Sequence, residues 1–272
     1  MQIWILNGGF VDSFYPQGGL NAASYDLRAD LDRKLFEDPI PFYRDIAVKT
    51  GGPVLELGCG TGRIAAAIHE AGIAIEGLDL SDAMLTKART KYPDMVWHKG
   101  DMCDFDLGRR FALIIIPFRG FQEITDGEDQ KRCLMTASDH LLPGGMLVLD
   151  LIDPDLQYCL PEGDPESVEL PLFPMPEGVG AQDSRLRITA MERTSDPLTQ
   201  RFEEHWRFEE IDPSGKVLRC EDCWHHMRWV HRSEMRLMLE ISGFISVSEF
   251  SDFKGSPPRY AANQVWMAKR PD

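Results

Sequence analysis

The chain has 272 residues, 43% of them hydrophobic and 27% charged, which is enough apolar material for one large core and too ordinary a balance for a disordered chain. Asp and Glu outnumber Lys and Arg by 44 to 29, and the formal net charge of −15 argues against non-specific attraction to nucleic acid or to anionic membranes. The 6 cysteines, irregularly spaced, read as reduced thiols in a cytoplasmic protein, and no segment approaches the ~20 consecutive apolar residues of a bilayer span.

Residues 1–23 are expected to form a loosely ordered arm: glycines and Pro16 interrupt any pattern, and the apolar run Ile3 to Leu6 is too short for a signal peptide. Ser24 to Phe36 has helical spacing. Asp38-Pro39-Ile40-Pro41 then breaks it, Pro41 suits the first turn of a second helix, and Gly51-Gly52 end that helix. Alternating units follow: strand Val54 to Leu57, helix Arg63 to Ala71, strand Ala74 to Asp79, helix Asp82 to Lys91 with Ser81 as N-cap, and strand Met95 to Lys99. Phe111 to Pro117 (FALIIIP) reads as a central strand buried on both faces, Asp126 to Leu142 as a helix, and Pro143-Gly144-Gly145 as a turn into strand Met146 to Leu151. This alternation predicts a parallel sheet covered by helices on both faces.

After Asp153 the character changes. Pro154 to Gly180 is rich in proline and acidic residues, and three extended segments follow without helices between them: Arg185 to Thr194, Gln200 to Ile211 and Lys216 to Val230. With turns at Asp196-Pro197 and at Asp212-Pro213-Ser214-Gly215, they read as an antiparallel meander inserted into the α/β core. Helix Arg232 to Ile241, capped by Gly243, leads to two last strands, Phe244 to Phe250 and Gln264 to Lys269. The expected organisation is therefore an arm over 1–23, an α/β core over 24–153, an inserted subdomain over 154–230, and a return to the core over 231–272.

The stretch Val54 to Ile64, VLELGCGTGRI, carries three glycines at alternating positions after a strand. Such a loop brings backbone close to a nucleotide. The dinucleotide fingerprint is G-x-G-x-x-G with an acidic residue ~20 positions on. Here Gly58, Gly60 and Gly62 are spaced G-x-G-x-G, and Asp79 ends the next strand, so the carboxylate alone does not discriminate.

Further residues do. ELGCGTG from Glu56 to Gly62, GLDLSDAML from Gly77 to Leu85, GDM from Gly100 to Met102 and LLPGGMLVLDL from Leu141 to Leu151, in this order, resemble the class I S-adenosylmethionine-dependent methyltransferases. The resemblance implies a Rossmann-like seven-stranded, mostly parallel sheet whose last strand runs antiparallel, with S-adenosyl-L-methionine as cofactor. It implies that Gly58, Gly60 and Gly62 pass beneath the methionine part, with Glu56, Cys59 and Thr61 of the same stretch among the cofactor-binding residues. By the same resemblance Asp79 accepts from the ribose hydroxyls, Leu80 and Met84 border the adenosine, and Asp101 with Met102 meets the adenine. Pro117 stands where the fourth strand opens to the cofactor, and Phe118, Arg119 and Phe121 stand on the substrate side. A sulfonium with an amino-acid tail needs close backbone approach and no phosphate clamp, which suits this loop.

The meander after the fifth strand and Tyr25-Asp26 on an N-terminal helix look like the small-molecule N-methyltransferases of the amino-sugar dimethyltransferase and glycine N-methyltransferase type, with Tyr25 closing over the cofactor. Ile116-Pro117-Phe118-Arg119 departs from the pattern of the nucleic-acid amino methyltransferases, so a small molecule is the expected acceptor, nitrogen ahead of oxygen. A hydroxyl acceptor needs a base more than an amine does, and His205, His225, His226, His231 and Glu123 are the candidates. Strand alternation puts Phe202, Trp206 and Phe208 on one face and Glu203, His205, Arg207 and Glu209 on the other, without saying which looks into a pocket. CEDCWHH, Cys220 to His226, has metal-ligand residue types, but Cys220 and Cys223 face opposite ways on a strand, and no metal site is expected. The alternatives are an O-methyltransferase, a non-catalytic cofactor-binding regulator on the same fold and, least favoured by the glycine spacing, a nicotinamide-dependent oxidoreductase. The sequence assigns no oligomeric state.

Overall fold

The computed structural model describes residues 14–15, 19–35, 38–156, 159–161, 167–176 and 178–272. Most of the expected arm, including Pro16, lies outside the described residues. Its last part is already helical, because α1 runs Leu20–Leu35 and starts four residues before the expected Ser24. α2 (Ile40–Thr50) carries Pro41 in its first turn and ends on Gly51, whose φ of 85° places the left-handed cap that glycine adopts without strain.

The α/β units follow as expected: β1 (Val54–Leu57), α3 (Arg63–Glu70), β2 (Ile75–Asp79), α4 (Asp82–Lys91), β3 (Val96–Lys99), β4 (Phe111–Ile116), α5 (Gly127–Asp139) and β5 (Leu141–Ile152). Ser81 accepts the Met84 amide at the start of α4, and Asp126 accepts the Glu128 and Asp129 amides at the start of α5. One expectation is corrected here: Pro143-Gly144-Gly145 does not precede the fifth strand but lies inside β5. The β4–β5 register shifts between Phe111 and Leu113, an irregularity that absorbs the extra residues of this exposed stretch.

β5 leads to β6 (Val168–Glu169), β7 (Phe173–Pro174), β8 (Arg185–Asp196), β9 (Arg201–Ile211) and β10 (Val217–Arg228), then α6 (Arg232–Ile241), β11 (Ile245–Phe250) and β12 (Asn263–Lys269). Seven strands form one sheet in the order β3-β2-β1-β4-β5-β12-β11, in which β12 is antiparallel to both neighbours. The meander strands form a second, wholly antiparallel sheet, β10-β9-β8-β6, with β7 also on β8. The two-residue strands β6 and β7 were not expected from sequence. β7 ends on Pro174, which lacks the amide needed to continue a ladder.

Period-two alternation sends Ile114 and Ile116 of β4 to a core with α5 and α6, and Leu113 and Ile115 to a core with α2, α3 and α4. Each core buries more than a dozen apolar side chains, and helices cover both faces of the sheet. A smaller cluster joins Leu20 of α1 to Leu186, Ile188, Phe208 and Cys223 of the second sheet. The Glu221 carboxylate of β10 also accepts the Leu20 and Asn21 amides at 2.6 and 3.1 Å, which satisfies the open N-terminus of α1. Among the described residues no helix is long and apolar enough to cross a membrane.

Candidate cofactor and acceptor site

The loop between β1 and α3 lies at the carboxyl end of the parallel strands, where open α/β sheets bind ligands. Gly58, Gly60 and Gly62 have φ of 70°, 54° and 82°. The Gly58 and Cys59 amides both donate to the Leu78 carbonyl of β2, at 2.8 and 3.0 Å. Asp79, the last residue of β2, accepts the Gly60 amide at 2.7 Å and the Ser81 amide at 2.7 Å, so its carboxylate ties the loop to the start of α4. Burial pushes the Asp79 carboxyl above its usual range, with those amides opposing. Leu80, 67% exposed, stands beside it at the strand tip.

The three glycines have different neighbours. A Cβ on Gly62 would lie 2.4 Å from the Trp97 ring, and one on Gly77 2.6 Å from the same ring, so Trp97 fills the space behind the loop. A Cβ on Gly58 would meet Met102 Cε at 3.3 Å, and one on Gly60 would find its nearest neighbour, the Tyr25 hydroxyl, only at 3.7 Å. Gly60 and Gly58 thus border the cleft, whereas Gly62 answers to packing. The Cys59 thiol is buried in the core that contains Trp97, and burial raises its pKa. Thr61 is buried and donates to Asp26 at 2.7 Å. Glu56 is 2% exposed, accepts the Ala65 amide at 2.9 Å, and is pushed up by burial to about 8; it holds the first turn of α3 as a neutral acid at pH 7.

Helix α1 covers this loop. Met84 is buried with Ala22 and Ala83 in one small cluster, against which Tyr15 and Tyr25 pack. The Tyr15 and Tyr25 rings meet edge to face at 5.4 Å. Asp26 receives Thr61 and Lys91; burial pushes its carboxyl up, and these hydrogen bonds outweigh burial and leave it low. Arg63, the first residue of α3, stands 5.6 Å from the Tyr25 ring centre and 4.8 Å from that of Phe118. Its Nη1 is buried without a hydrogen-bond partner.

At the end of β4, Pro117 is buried, and Phe118 and Arg119 both adopt left-handed backbone with φ of 52° and 64°. Two successive residues of this kind cost roughly 1 kcal/mol or more each. Asp150 of β5 holds the turn: it accepts the Phe118 amide at 3.0 Å and the Tyr43 hydroxyl at 2.5 Å, and burial raises its pKa. Phe121 is a correction to the expected substrate side, because it is wholly enclosed in the core beneath α5 and α6. Asp101 accepts the Cys103 amide at 2.8 Å, next to Met102.

The base candidates divide by strand face. His225 shares the inner face of the second sheet with Trp206 and Cys223, stacks on Phe14 at 4.2 Å, and its Nε2 lies 3.4 Å from Glu123 Oε1. His205 and His226 lie on the opposite face, where His205 stacks on Trp224 and reaches Asp222 at 2.8 Å, and His226 reaches Glu203 at 2.9 Å. His231 precedes α6, and its backbone amide donates to Glu234. Cys220 is exposed and Cys223 buried, on opposite faces of β10. Sequence reasoning did not single out Arg63, Tyr15, Asp150 or Trp97. For Arg63 a signal existed, since it directly follows the third glycine.

The sheet order with its one antiparallel strand, and a glycine loop tied to a strand-end carboxylate, define the fold of the class I S-adenosylmethionine-dependent methyltransferases. Residues 54–145 match the family described as Methyltransferase domain. Over 97 residues, 36% of this chain and 38% of the relative, it is 36% identical to a dTDP-3-amino-3,6-dideoxy-alpha-D-glucopyranose N,N-dimethyltransferase of Streptomyces fradiae. It is 28% identical over 211 residues to the cypemycin N-terminal methyltransferase of a Streptomyces species, covering 76% of this chain and 78% of that one. The solved sugar N-methyltransferase of a Streptoalloteichus species superposes with a TM-score of 0.73 at 20% identity, over 100% of this chain and 99% of the other, which shows a shared fold. The aligned part spans about two fifths of the length of the curated amino-sugar dimethyltransferases it matches.

The residues present fit the cofactor of this class. Asp79 keeps acceptor capacity beyond its two amide contacts, Gly60 leaves an open approach, and the unpartnered Arg63 Nη1 offers a buried cation to a carboxylate.

Proposed function

We propose that this chain methylates the nitrogen of a small amine, an amino sugar being the acceptor class, with S-adenosyl-L-methionine as donor. The observation that carries the proposal is one run of contacts leading from the cofactor loop to a proton acceptor: Gly60 to Tyr25, Tyr25 to Tyr15, Tyr15 to Phe14, Phe14 to His225, and His225 to Glu123. The same Glu123 acts electrostatically on Tyr15, Tyr25 and Asp79, a smaller effect at each than burial.

The bound cofactor supplies an electrophilic methyl group on a sulfonium. Asp79 holds ribose hydroxyls, Arg63 with Tyr25 holds the carboxylate end, and Met102 and Met84 flank the nucleoside. An amine arrives as an ammonium ion, which the Glu123 carboxylate attracts. The ammonium gives one proton to the Glu123–His225 pair and thereby exposes the nitrogen lone pair for in-line displacement. Burial raises the phenol pKa of Tyr15 and of Tyr25, so both stay neutral hydrogen-bonding groups and do not compete for that proton. A hydroxyl is a far weaker acid and would lean on the same imidazole–carboxylate pair as general base, so the preference for nitrogen rests on the similarity to amino-sugar N,N-dimethyltransferases. The second sheet, β8 to β10, covers the acceptor with its inner face. The net charge of −15 and the 6 free thiols support a small-molecule enzyme of a reducing, cytoplasmic compartment over a nucleic-acid modifier.

The test is methyl transfer from the labelled cofactor to a panel of amino sugars and their hydroxyl counterparts. Amines are expected to react and hydroxyl counterparts not, and Glu123→Gln and His225→Gln are each expected to lower kcat about 100-fold or more. Preferential methylation of the hydroxyl compounds, or tight cofactor binding with no turnover on any amine, overturns the proposal.

A further inference from the structure

Glu123 and His225 come from distant parts of the chain. Glu123 ends one turn of 3₁₀ helix, Gly120–Glu123, between β4 and α5, whereas His225 stands on β10. The 3.4 Å contact between them involves a half-exposed carboxylate, and a contact of that kind is too weak to hold two chain segments at a fixed separation. The separation is set elsewhere.

Gln130 of α5 has no exposed surface, and both ends of its side-chain amide are used. Its oxygen accepts from Arg228 Nη1 at 2.6 Å, and its nitrogen donates to the Phe121 carbonyl at 3.4 Å. The orientation of the amide is forced, because a guanidinium only donates and a backbone carbonyl only accepts. Phe121 lies two residues before Glu123 in the same turn, and Arg228 lies three residues after His225 on the same strand. Alternation sends His225 and Arg228 to opposite faces of β10, so the chain from Glu123 to Gln130 straddles the end of that strand. Arg228 is itself fixed, since its Nη2 donates to Gln200 at 2.9 Å and to Glu234 at 2.6 Å. The turn also has an anchor on its other side. Gln122 accepts the Ile152 amide at 2.8 Å and donates to the Ile152 carbonyl at 3.4 Å, which ties the turn to β5 whatever Gln130 does.

We propose that Gln130 is a positioning residue for methyl transfer: by bridging the turn of Glu123 to Arg228, it sets the distance between Glu123 and His225. This deepens the methyltransferase proposal and rests on it. The bridge needs a donor and an acceptor side by side on one buried group. A carboxylate lacks the donor, and an apolar side chain leaves both the Phe121 carbonyl and Arg228 Nη1 short of a partner.

The test is steady-state methyl transfer from labelled cofactor to whichever amino sugar of the panel reacts fastest. Gln130→Glu keeps the size of the side chain and the bond from Arg228, but sets a carboxylate oxygen against the Phe121 carbonyl. It is expected to lower kcat about 10-fold or more while S-adenosylhomocysteine affinity, read by calorimetry, stays within about 2-fold of wild type. Gln130→Met, which removes both bonds, serves as the second variant and is expected to lower kcat at least as much. In a Glu123→Gln/His225→Gln background no pair is left to position, and adding Gln130→Glu should change the residual rate less than about 2-fold. No loss of kcat in the otherwise wild-type chain, an equal loss in both backgrounds, or a fall in S-adenosylhomocysteine affinity that parallels the fall in kcat overturns the positioning role and leaves the methyltransferase proposal standing. A wild type that methylates no amine overturns both.

Discussion

Replacing Glu56 by glutamine is expected to remove a pH dependence of stability centred on the first turn of α3. The carboxyl is 2% exposed, and burial moves its pKa from 4.5 to about 8. The folded chain therefore keeps a proton that the unfolded chain releases. The stability this adds is fully present below about pH 4.5 and is lost as pH rises through about 8. Relative to the ionised group, the bound proton contributes roughly 3 kcal/mol at pH 6 and almost nothing at pH 9. Glutamine keeps a carbonyl for the Ala65 amide and cannot ionise. Urea unfolding of both proteins, followed by tryptophan fluorescence at pH 6 and pH 9, should show the wild type losing roughly 3 kcal/mol more than the variant. Parallel losses in the two proteins would mean that Glu56 is already ionised when folded, and the burial argument would fail.

Asp79→Ala is expected to weaken S-adenosylhomocysteine binding by about 1 to 3 kcal/mol in calorimetry, and an unchanged affinity would refute the ribose role. Arg63→Gln should weaken S-adenosylhomocysteine about 10- to 100-fold yet leave 5′-methylthioadenosine, which lacks the amino-acid tail, unaffected; equal losses for both would remove Arg63 from the carboxylate end. Gly62→Ala forces a Cβ to 2.4 Å from Trp97 at a φ of 82°, and a loss of about 2 to 4 kcal/mol in thermal or urea unfolding is expected. Adding Trp97→Leu to Gly62→Ala should recover part of that loss, and no recovery would show the ring is not the obstacle.

Much of the fold was legible because its signals are local. FALIII marks a strand buried on both faces, Ser81 and Asp126 cap helices they directly precede, and Asp212 to Gly215 turn one long strand into the next. The antiparallel ending came through the family resemblance, not through any property of residues 244–269 alone. The limits were equally physical. Gly60 and Gly62 look alike in sequence, and what separates them is Trp97, more than thirty residues away. The motif residues Glu56, Cys59 and Thr61 turn to protein partners, since a strand-end loop presents some side chains inward whatever it binds. Four histidines were equivalent until the β9–β10 register put His225 on the inner face and His205 and His226 on the outer one. Pro143-Gly144-Gly145 spelled a turn, yet β5 passes through it as an irregularity.

The indole of Trp97, wedged against Gly62 and Gly77, imposes the shape of the cofactor loop from the interior of the protein. A cradle formed before its guest arrives gives up little conformational freedom on binding. On the proposed function, the methylated and demethylated cofactors then meet one rigid seat, and the seat itself cannot tell them apart. Telling them apart falls to the groups around the departing methyl, Tyr15, Tyr25 and Glu123, where a positive charge is present before transfer and absent after it.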